Sequence, residues 1–401
     1  MDRKTRVRNA IHFQPVDRVP FDMFDEAGYL FEAGCYDPAQ RLWLSLEEQV
    51  EARIRFQREF DTDLIFDTPV LGAGQVGFTA RLTPKYASRY ELHFATFPVV
   101  AGLWHPWPPH LVPKPGVDPS QDDRIELTVE WENGLHCDLT IEAASGTAAG
   151  YETLMHSRAE WPLWREALTP QLDDFDYTHV DRICEATGGD VALYGTIASP
   201  YGTFSLLFGI EQSTYFFYDE PEFADEVMSW LTDVAIEVGK DLIRHGVDVL
   251  RVGEATSSLL GPRFYRQNVL AHHQRMHGAL RSAGGATIVH ACGHSSALLE
   301  AFADSGASGI EPLTPPPLGD TQLADAKRRV GGRICLKGGL DPVHVVGPLS
   351  AREVAEDTLR CLREGSPGGG YILSVADCMV PGTPIENMRA IAEAVHDFRP
   401  R

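Results

Sequence analysis

The sequence predicts an α/β protein built as a (β/α)8 TIM barrel, on three observations. With 43% hydrophobic and 23% charged residues among 401, the chain can bury a large core, and a single barrel of this size is common. From residue 191 onward, short β-rich runs alternate with capped helices, which is typical of a parallel sheet. Together with two upstream runs, the strands number eight.

The eight candidate strands are short and rich in β-branched or aromatic residues. Two precede the middle of the chain, at residues 18–24 and 63–67. Six follow in its second half, at residues 191–196, 247–253, 286–290, 309–311, 333–337 and 371–374.

Several helices between these strands have recognisable ends. Pro221 begins a helix with apolar residues at three-to-four spacing, and Gly246 ends it. Ser350 and Glu353 form a capping box, and Thr383 is the predicted N-cap of the last helix, with a proline at its first position.

Residues 68–150 interrupt this alternation. They are rich in proline and turn residues, and hydrophobic residues alternate on both sides of Asn133-Gly134, which predicts a β-hairpin with a two-residue type I′ turn. We therefore expect residues 1–401 to form one domain, with 68–150 as an antiparallel insertion between strands two and three that covers the barrel mouth.

Charge excludes some classes of partner. Asp and Glu number 57 against 35 Lys and Arg, a net charge of −22, which disfavours nucleic acid and anionic membrane surfaces. The N-terminal residues lack the apolar stretch of a signal peptide and no run is long enough to span a membrane, so a cytoplasmic protein is expected.

The cysteines indicate metal ligands or buried thiols rather than disulfides, because seven are thinly spread along the chain. His290 and Cys292 follow one candidate strand and Cys378 follows another, at the end where barrel enzymes build their sites. Two thiolates and one imidazole describe a zinc site with a free coordination position. The remaining alternative is a set of buried thiols, which is the interpretation for Cys335 and Cys361.

Other strand-end residues are candidates for catalysis or substrate binding. Glu254 and Glu311 are each an acid or base, a metal ligand or a salt-bridged rim residue, and Glu311 is the favoured fourth zinc ligand. The candidate substrate-binding residues are Tyr201, Phe264, His294 and Asp377.

Four groups of short motifs are spread over nearly the whole chain outside the insertion. They are Asp17-Arg18-Val19-Pro20; Glu311-Pro312-Leu313 followed by Gly319-Asp320; Gly338-Gly339-Leu340-Asp341-Pro342; and Gly370-Tyr371-Ile372-Leu373-Ser374 followed by Thr383-Pro384-Ile385-Glu386-Asn387. These motifs resemble those of the uroporphyrinogen decarboxylase superfamily, whose fold is a TIM barrel.

The superfamily has two functional branches. Its metal-free decarboxylases carry Arg-Gln-Ala-Gly-Arg after the first strand, whereas this chain has Phe24-Asp25-Glu26-Ala27-Gly28-Tyr29, with acids where arginines are needed. The corrinoid-linked methyltransferases carry His-x-Cys and a distant Cys, which His290, Cys292 and Cys378 match, with an exchangeable carboxylate near Glu311.

The resemblance therefore implies zinc, a corrinoid (cobalamin), free or on a carrier protein, and a small methyl donor or acceptor such as a methyl ether or a thiol. Zinc would lower the pKa of a bound thiol or polarise an ether oxygen. Gly338 and Gly339 would allow the corrinoid to approach the backbone. The alternatives are a decarboxylase and a non-catalytic zinc- or corrinoid-binding protein.

Overall fold

The computed structural model describes most of the chain outside the region between residues 67 and 174. The described residues are 1–23, 46–66, 71–72, 79–81, 91–93, 110–117, 124–130, 134–142, 147–151, 155, 157–167, 169, 172, 175–259, 261–377, 379–380 and 383–399. The predicted zinc ligand Cys378 and the departure from the decarboxylase motif at 24–29 lie outside them.

The described strands fall into a parallel set and several antiparallel ones. In chain order they are β1 (Leu64–Phe66), β2 (Leu71–Gly72), β3 (Thr79–Arg81), β4 (Glu91–His93), β5 (His110–Pro113), β6 (Arg124–Glu130), β7 (His136–Glu142), β8 (Thr147–Tyr151), β9 (Phe175–Asp176), β10 (Ala192–Ala198), β11 (Val249–Gly253), β12 (Ala286–His290), β13 (Gly309–Leu313), β14 (Cys335–Leu340) and β15 (Tyr371–Val375).

The α-helices lie mainly between the strands of the second half. They are α1 (Arg3–Ile11), α2 (Leu46–Phe60), α3 (Trp161–Ala167), α4 (Thr178–Thr187), α5 (Pro200–Phe208), α6 (Ile210–Asp219), α7 (Pro221–Arg244), α8 (Pro262–Asn268), α9 (Leu270–Ser282), α10 (Leu299–Asp304), α11 (Leu323–Val330), α12 (Ala351–Gly365) and α13 (Ile385–Asp397). Within the described residues, no helix is long and apolar enough to cross a membrane.

Seven parallel strands form one curled sheet in the order β1, β10, β11, β12, β13, β14, β15. The segment around Phe21 forms an isolated parallel bridge with Leu373 of β15. The amide of Leu373 donates to the Pro20 carbonyl (3.0 Å), and the Asp63 amide, beside β1, donates to the Phe21 carbonyl (2.9 Å). This segment thus lies between the two edge strands, which is consistent with a TIM-barrel-like fold.

The segment before Phe21 is fixed by a buried ion-pair network. Asp63 is fully buried and accepts from Arg6 (2.6 Å), from Arg18 and from the Phe21 amide (2.9 Å). Arg18 belongs to the Asp17-Arg18-Val19-Pro20 motif, and its guanidinium holds the segment from which Asp22 reaches the interior of the curled sheet.

Side chains on one face of the parallel strands fill the interior of the curled sheet. The lower layer is apolar, and α1 covers it from the N-terminal end; its members are Val7, Ala10, Ile11, Leu64, Ala192, Tyr194, Val249, Ile288, Cys335 and Ile372. Because side chains alternate along a strand, residues two positions further on face the same interior. Those residues are polar: Thr196, Arg251, His290, Lys337 and Ser374. The interior therefore changes from apolar to charged toward the C-terminal ends of the strands.

The long helix α7 shows how the outer layer packs. Its residues Phe223, Val227, Leu231 and Val238 are buried at the three-to-four spacing that predicted this helix, and it ends just before Gly246, whose φ is +97°. Burying each such side chain contributes roughly 1.5–3 kcal/mol relative to leaving it exposed.

A separate sheet of four antiparallel strands runs in the order β5, β6, β7, β8. Leu127 pairs with Leu139, and Glu130 with His136, so the connection between β6 and β7 is centred on residue 133. A two-residue turn at Asn133-Gly134 would pair position 132 with position 135. The observed pairing of Glu130 with His136 is one residue out of step with that register, so the predicted two-residue turn is wrong. Gly134 has φ +87°, a left-handed conformation common in turns, and residues 131–133 lie outside the described residues.

Other predicted boundaries also changed. The capping box of Ser350 and Glu353 is confirmed at the start of α12. Thr383 is not the N-cap of α13, because its hydroxyl donates to the Val380 carbonyl (2.7 Å) and the extended Pro384 occupies the cap position. The predicted strand at 18–24 is reduced to the single bridge at Phe21.

Candidate functional site

The site begins at the C-terminal end of β12, where His290 is the last strand residue and is 4% exposed. It lies directly beside Glu311 of β13 in the strand register. His290 Nδ1 is 3.1 Å from Glu311 Oε1. Two residues that were separate candidates in the sequence therefore form one hydrogen-bonded pair inside the sheet.

The Glu311 carboxylate is the centre of a buried charge cluster. Besides His290, it contacts Lys337 of β14, whose Nζ donates to Oε2 (2.6 Å), and Arg251 of β11, whose Nε is 3.2 Å from Oε1. Glu311 is fully buried, and the Arg251 side chain is 13% exposed. Three neighbouring strands thus direct cationic or N–H groups at one carboxylate.

Lys337 is itself almost completely buried, with 1% of its surface exposed. Its Nζ lies 3.0 Å from Asp22 Oδ2 and 3.4 Å from the Ser374 hydroxyl, and it stands 5.1 Å from the centre of the Tyr194 ring. A buried ammonium requires such partners, because desolvation without them costs several kcal/mol.

The pKa directions follow from these contacts. Burial alone raises the pKa of Glu311, but Lys337, His290 and Arg251 outweigh it and hold that pKa well below its ordinary value. Burial, and then Arg251, lowers the pKa of His290. Burial lowers the pKa of Lys337, but Asp22 and Glu311 reverse the effect and raise it. The cluster therefore holds an ionised Glu311 and Lys337 beside a neutral imidazole at neutral pH.

Cys292 follows His290 by two residues and is half-buried. Burial, and then the charge of Asp377, raises the pKa of its thiol to about 11. Asp377 follows β15 directly and has a φ of +132°, a left-handed conformation that a non-glycine residue rarely adopts. Since Cys378 lies beyond the described residues, its position relative to Cys292 stays a prediction.

Among the described residues, no three histidine, cysteine or carboxylate side chains are grouped to hold a metal ion. Two members of the predicted set do fit a metal by their chemistry. The imidazole of His290 is held at Nδ1, which is how ligating histidines are usually fixed, and the Cys292 thiol needs a nearby cation before it ionises.

Glu254 has different surroundings from Glu311. It follows β11 and is fully buried, but its carboxylate accepts from the Ser257 hydroxyl and lies 3.2 Å from Nε2 of His273 on α9. The same histidine contacts the Tyr265 hydroxyl through Nδ1 (2.7 Å). Glu254 therefore faces the helix layer, and its catalytic role stays a prediction without a described contact to Glu311.

The candidate substrate-binding residues lie in three different settings. Tyr201 is fully buried and Phe264 is 9% exposed; their rings lie 6.2 Å apart in an aromatic cluster formed by α5, α6 and α8. His294 is exposed on the loop after β12, and Asp377 lies beside Cys292. The structure thus brings only Asp377 into the neighbourhood of the His290 and Cys292 pair.

The two glycines of β14 serve the fold. Gly338 has φ +126°, and an added Cβ would lie 2.5 Å from the Leu313 amide nitrogen; at Gly339, with φ +108°, it would meet Leu323 and Cys361. Neighbouring protein atoms therefore require that these residues lack side chains, and their role in admitting a corrinoid stays a prediction.

The sequence patterns did not point to Arg251, Lys337, Asp22 or Tyr194. A usable signal was present for two of them: Arg251 and Lys337 each interrupt an apolar strand at a position that alternation assigns to the interior. Cys335 and Cys361 are fully buried, which confirms the prediction that they belong to the core.

Comparison with known proteins identifies the family. Residues 165–398 match the model of the uroporphyrinogen decarboxylase (URO-D) family. Since this match spans more than half of the chain, the chain belongs to that family, as its motifs predicted.

The chain is similar to the uroporphyrinogen decarboxylase of Coxiella burnetii (strain Dugway 5J108-111), with 28% identity over 254 residues, 60% of this chain and 66% of that protein. The enzyme of Mycobacterium sp. (strain KMS) is 31% identical over 231 residues, 54% of this chain and 64% of its own length. The match thus spans about two thirds of these relatives.

Among solved structures, a methyltransferase from Methanosarcina mazei shares the fold. The TM-score is 0.64 at 17% sequence identity, and the alignment covers 99% of both chains. This likeness supports a common architecture over the full length.

Proposed function

We propose that this protein is a zinc-dependent methyltransferase that moves a methyl group between a small substrate and a corrinoid. The observation that carries the proposal is His290, buried at a strand end with Nδ1 on Glu311 and followed two residues later by Cys292. A metal-free decarboxylase has no need of a thiol in that position. The M. mazei protein, whose fold this chain shares, is a methyltransferase.

In this proposal His290, Cys292 and Cys378 hold zinc. The bound zinc supplies Lewis acidity that activates a thiol or an ether oxygen. His290 enters as a neutral ligand because burial and Arg251 lower its pKa. Glu311 keeps the imidazole in one orientation, and Asp377 lies where it contacts either Cys292 or a substrate group. The corrinoid, free or on a carrier protein, is the co-substrate that exchanges the methyl group.

The proposed fold is a closed (β/α)8 barrel with the segment at Phe21 as its eighth strand position. Residues 68–150 are proposed to be an insertion in this single domain, placed at the mouth so that it excludes water during methyl transfer. A structure with the β6–β7 hairpin at the N-terminal face of the barrel would refute this placement.

A decarboxylase is the second candidate, because the curated relatives bear that name. Substrates with several carboxylates need available cations, and the two cations described at the site, Lys337 and Arg251, both contact Glu311. This pairing favours the methyltransferase.

The two candidates are separated by a paired assay on purified protein. In the forward assay, zinc-loaded protein is mixed with cob(I)alamin and a panel of aryl methyl ethers and methanol-type donors. In the reverse assay, it is mixed with methylcobalamin and thiols. The cobalamin spectrum is followed in both. We expect a spectral change that chelation abolishes. An unchanged spectrum, with decarboxylation of a porphyrinogen acid after zinc removal, would establish the decarboxylase.

A further inference from the structure

Both oxygens of the Glu311 carboxylate already have partners from this chain. Oε2 accepts from Lys337 Nζ at 2.6 Å, and Oε1 lies 3.1 Å from His290 Nδ1 and 3.2 Å from Arg251 Nε. A carboxylate bound to zinc must bring an oxygen to about 2.0–2.2 Å from the metal. Oε1, which already has two contacts, could do so only by giving one of them up, and Oε2 could do so only by placing the metal close to the Lys337 ammonium.

Lys337 makes that exchange costly. Its ammonium is 1% exposed, and besides Glu311 it contacts Asp22 at 3.0 Å and the Ser374 hydroxyl at 3.4 Å. Moving Glu311 toward a metal would take away the 2.6 Å contact in a place that water does not reach. Buried charges that lose a partner in this way are strongly destabilising.

The contact with His290 also has a direct consequence for metal binding. If Nδ1 carries the proton that it donates to Glu311, the lone pair that remains for a metal is on Nε2. Ligating histidines commonly have such an outer partner, which fixes the tautomer and the ring orientation.

We propose that Glu311 is a positioning residue for His290, anchored by Lys337, and that it stays outside the inner coordination shell of the metal. The inference rests on the proposed zinc site, and it differs from the sequence-based expectation that Glu311 is the fourth ligand. The fourth position is then left to solvent or substrate.

A direct test uses the wild-type protein loaded with ¹¹³Cd and carrying ¹⁵N-labelled histidine. We expect the ¹¹³Cd coupling on Nε2 of His290 and a slowly exchanging proton on Nδ1. In a crystal structure of the zinc-loaded protein, we expect Glu311 to remain within hydrogen-bond distance of Nδ1. Coupling through Nδ1, or a Glu311 oxygen at about 2.0–2.2 Å from zinc, would overturn the inference.

Variants give a second readout. Glu311→Gln should lower zinc affinity about 10- to 100-fold in a chelator competition, as loss of an outer partner does, while the visible spectrum of the Co²⁺-substituted protein keeps its shape. Asp241→Asn, which alters a buried carboxylate on α7, is the matched control and should leave both unchanged. If the cobalt spectrum changes in Glu311→Gln and not in Asp241→Asn, Glu311 is a direct ligand of the metal. Failure of the wild type to bind zinc would overturn the proposed function, and this inference with it.

Discussion

Replacing Lys337 with methionine tests the buried charge cluster most directly. The substitution keeps side-chain length but removes an ammonium that lies 2.6 Å from Glu311 and 3.0 Å from Asp22. At an effective dielectric constant near 20, a pair of charges 2.6 Å apart attracts by about 6 kcal/mol. Part of that attraction only offsets desolvation, and Arg251 remains beside Glu311, so we expect a loss of about 3–5 kcal/mol in the free energy of unfolding at pH 7.

The loss should depend on pH in a defined direction. In the wild type the pKa of Glu311 is depressed, so the stability it contributes is present above its unfolded pKa and disappears as the pH falls toward the folded pKa. Without Lys337, only His290 and Arg251 still oppose the effect of burial, so we expect the pKa of Glu311 to be higher in the variant than in the wild type, and the variant to lose stability relative to the wild type as the pH rises toward that pKa. The difference between wild type and Lys337→Met should therefore grow from pH 4 to pH 8.

Urea denaturation of chelator-treated protein measures this difference. The double variant Lys337→Met/Glu311→Gln should lose less free energy of unfolding than the two single variants together, by at least about 2 kcal/mol, because the two groups interact directly. Additive losses, or a loss below about 1 kcal/mol for Lys337→Met at pH 8, would refute the cluster as described.

Three further predictions concern zinc, a buried histidine and a glycine. Cys292→Ala and Cys378→Ala should each leave the purified protein with less than one zinc per chain, while Cys184→Ala, a half-buried cysteine on α4, should retain it; full zinc in both site variants places the metal elsewhere. His277 is fully buried, neither of its ring nitrogens has a hydrogen-bond partner among the described residues, and burial, followed by His273 and Arg281, holds its pKa well below 6.5. As the pH falls below 6.5, the unfolded state binds a proton at His277 before the folded state does, and this lowers the free energy of unfolding. His277→Phe should remove this contribution, so that the free energy of unfolding declines less steeply, by as much as about 1.4 kcal/mol per pH unit. Parallel pH profiles of the two proteins would contradict this. Gly338→Ala should cost more than about 2 kcal/mol, from its positive φ and its contact with Leu313, whereas Gly278→Ala on α9, where an added Cβ has open space, should be neutral or stabilising; equal stability of the two variants would contradict the argument.

Part of this site was predictable from sequence alone. Strand periodicity locates the end of β12 at His290, where a site is expected in a barrel fold. Glu311 was also found, although β13 runs on to Leu313, two residues beyond its predicted end. The same alternation of side chains along a strand places the Glu254 and Glu311 carboxylates in different surroundings. Val249 and Arg251 face the interior, so Glu254 falls on the opposite face, where it contacts His273 of α9. Proximity to a strand end was therefore too coarse a criterion for Glu254.

The partners within the cluster depend on which distant segments lie side by side in the sheet, and local patterns do not encode this. Asp22 reaches Lys337 only because the segment at Phe21 lies beside β15, more than three hundred positions along the chain. Glu311 follows Ile310, which pairs with Leu336, so the register between β13 and β14 places Glu311 opposite Lys337 before it shifts at Leu313. Alternation decides which side chains enter the interior, but register and the order of neighbouring segments decide which of them come into contact. A buried lysine in an apolar strand is thus a sequence signal that a carboxylate must face it, and only the folded chain shows that two do.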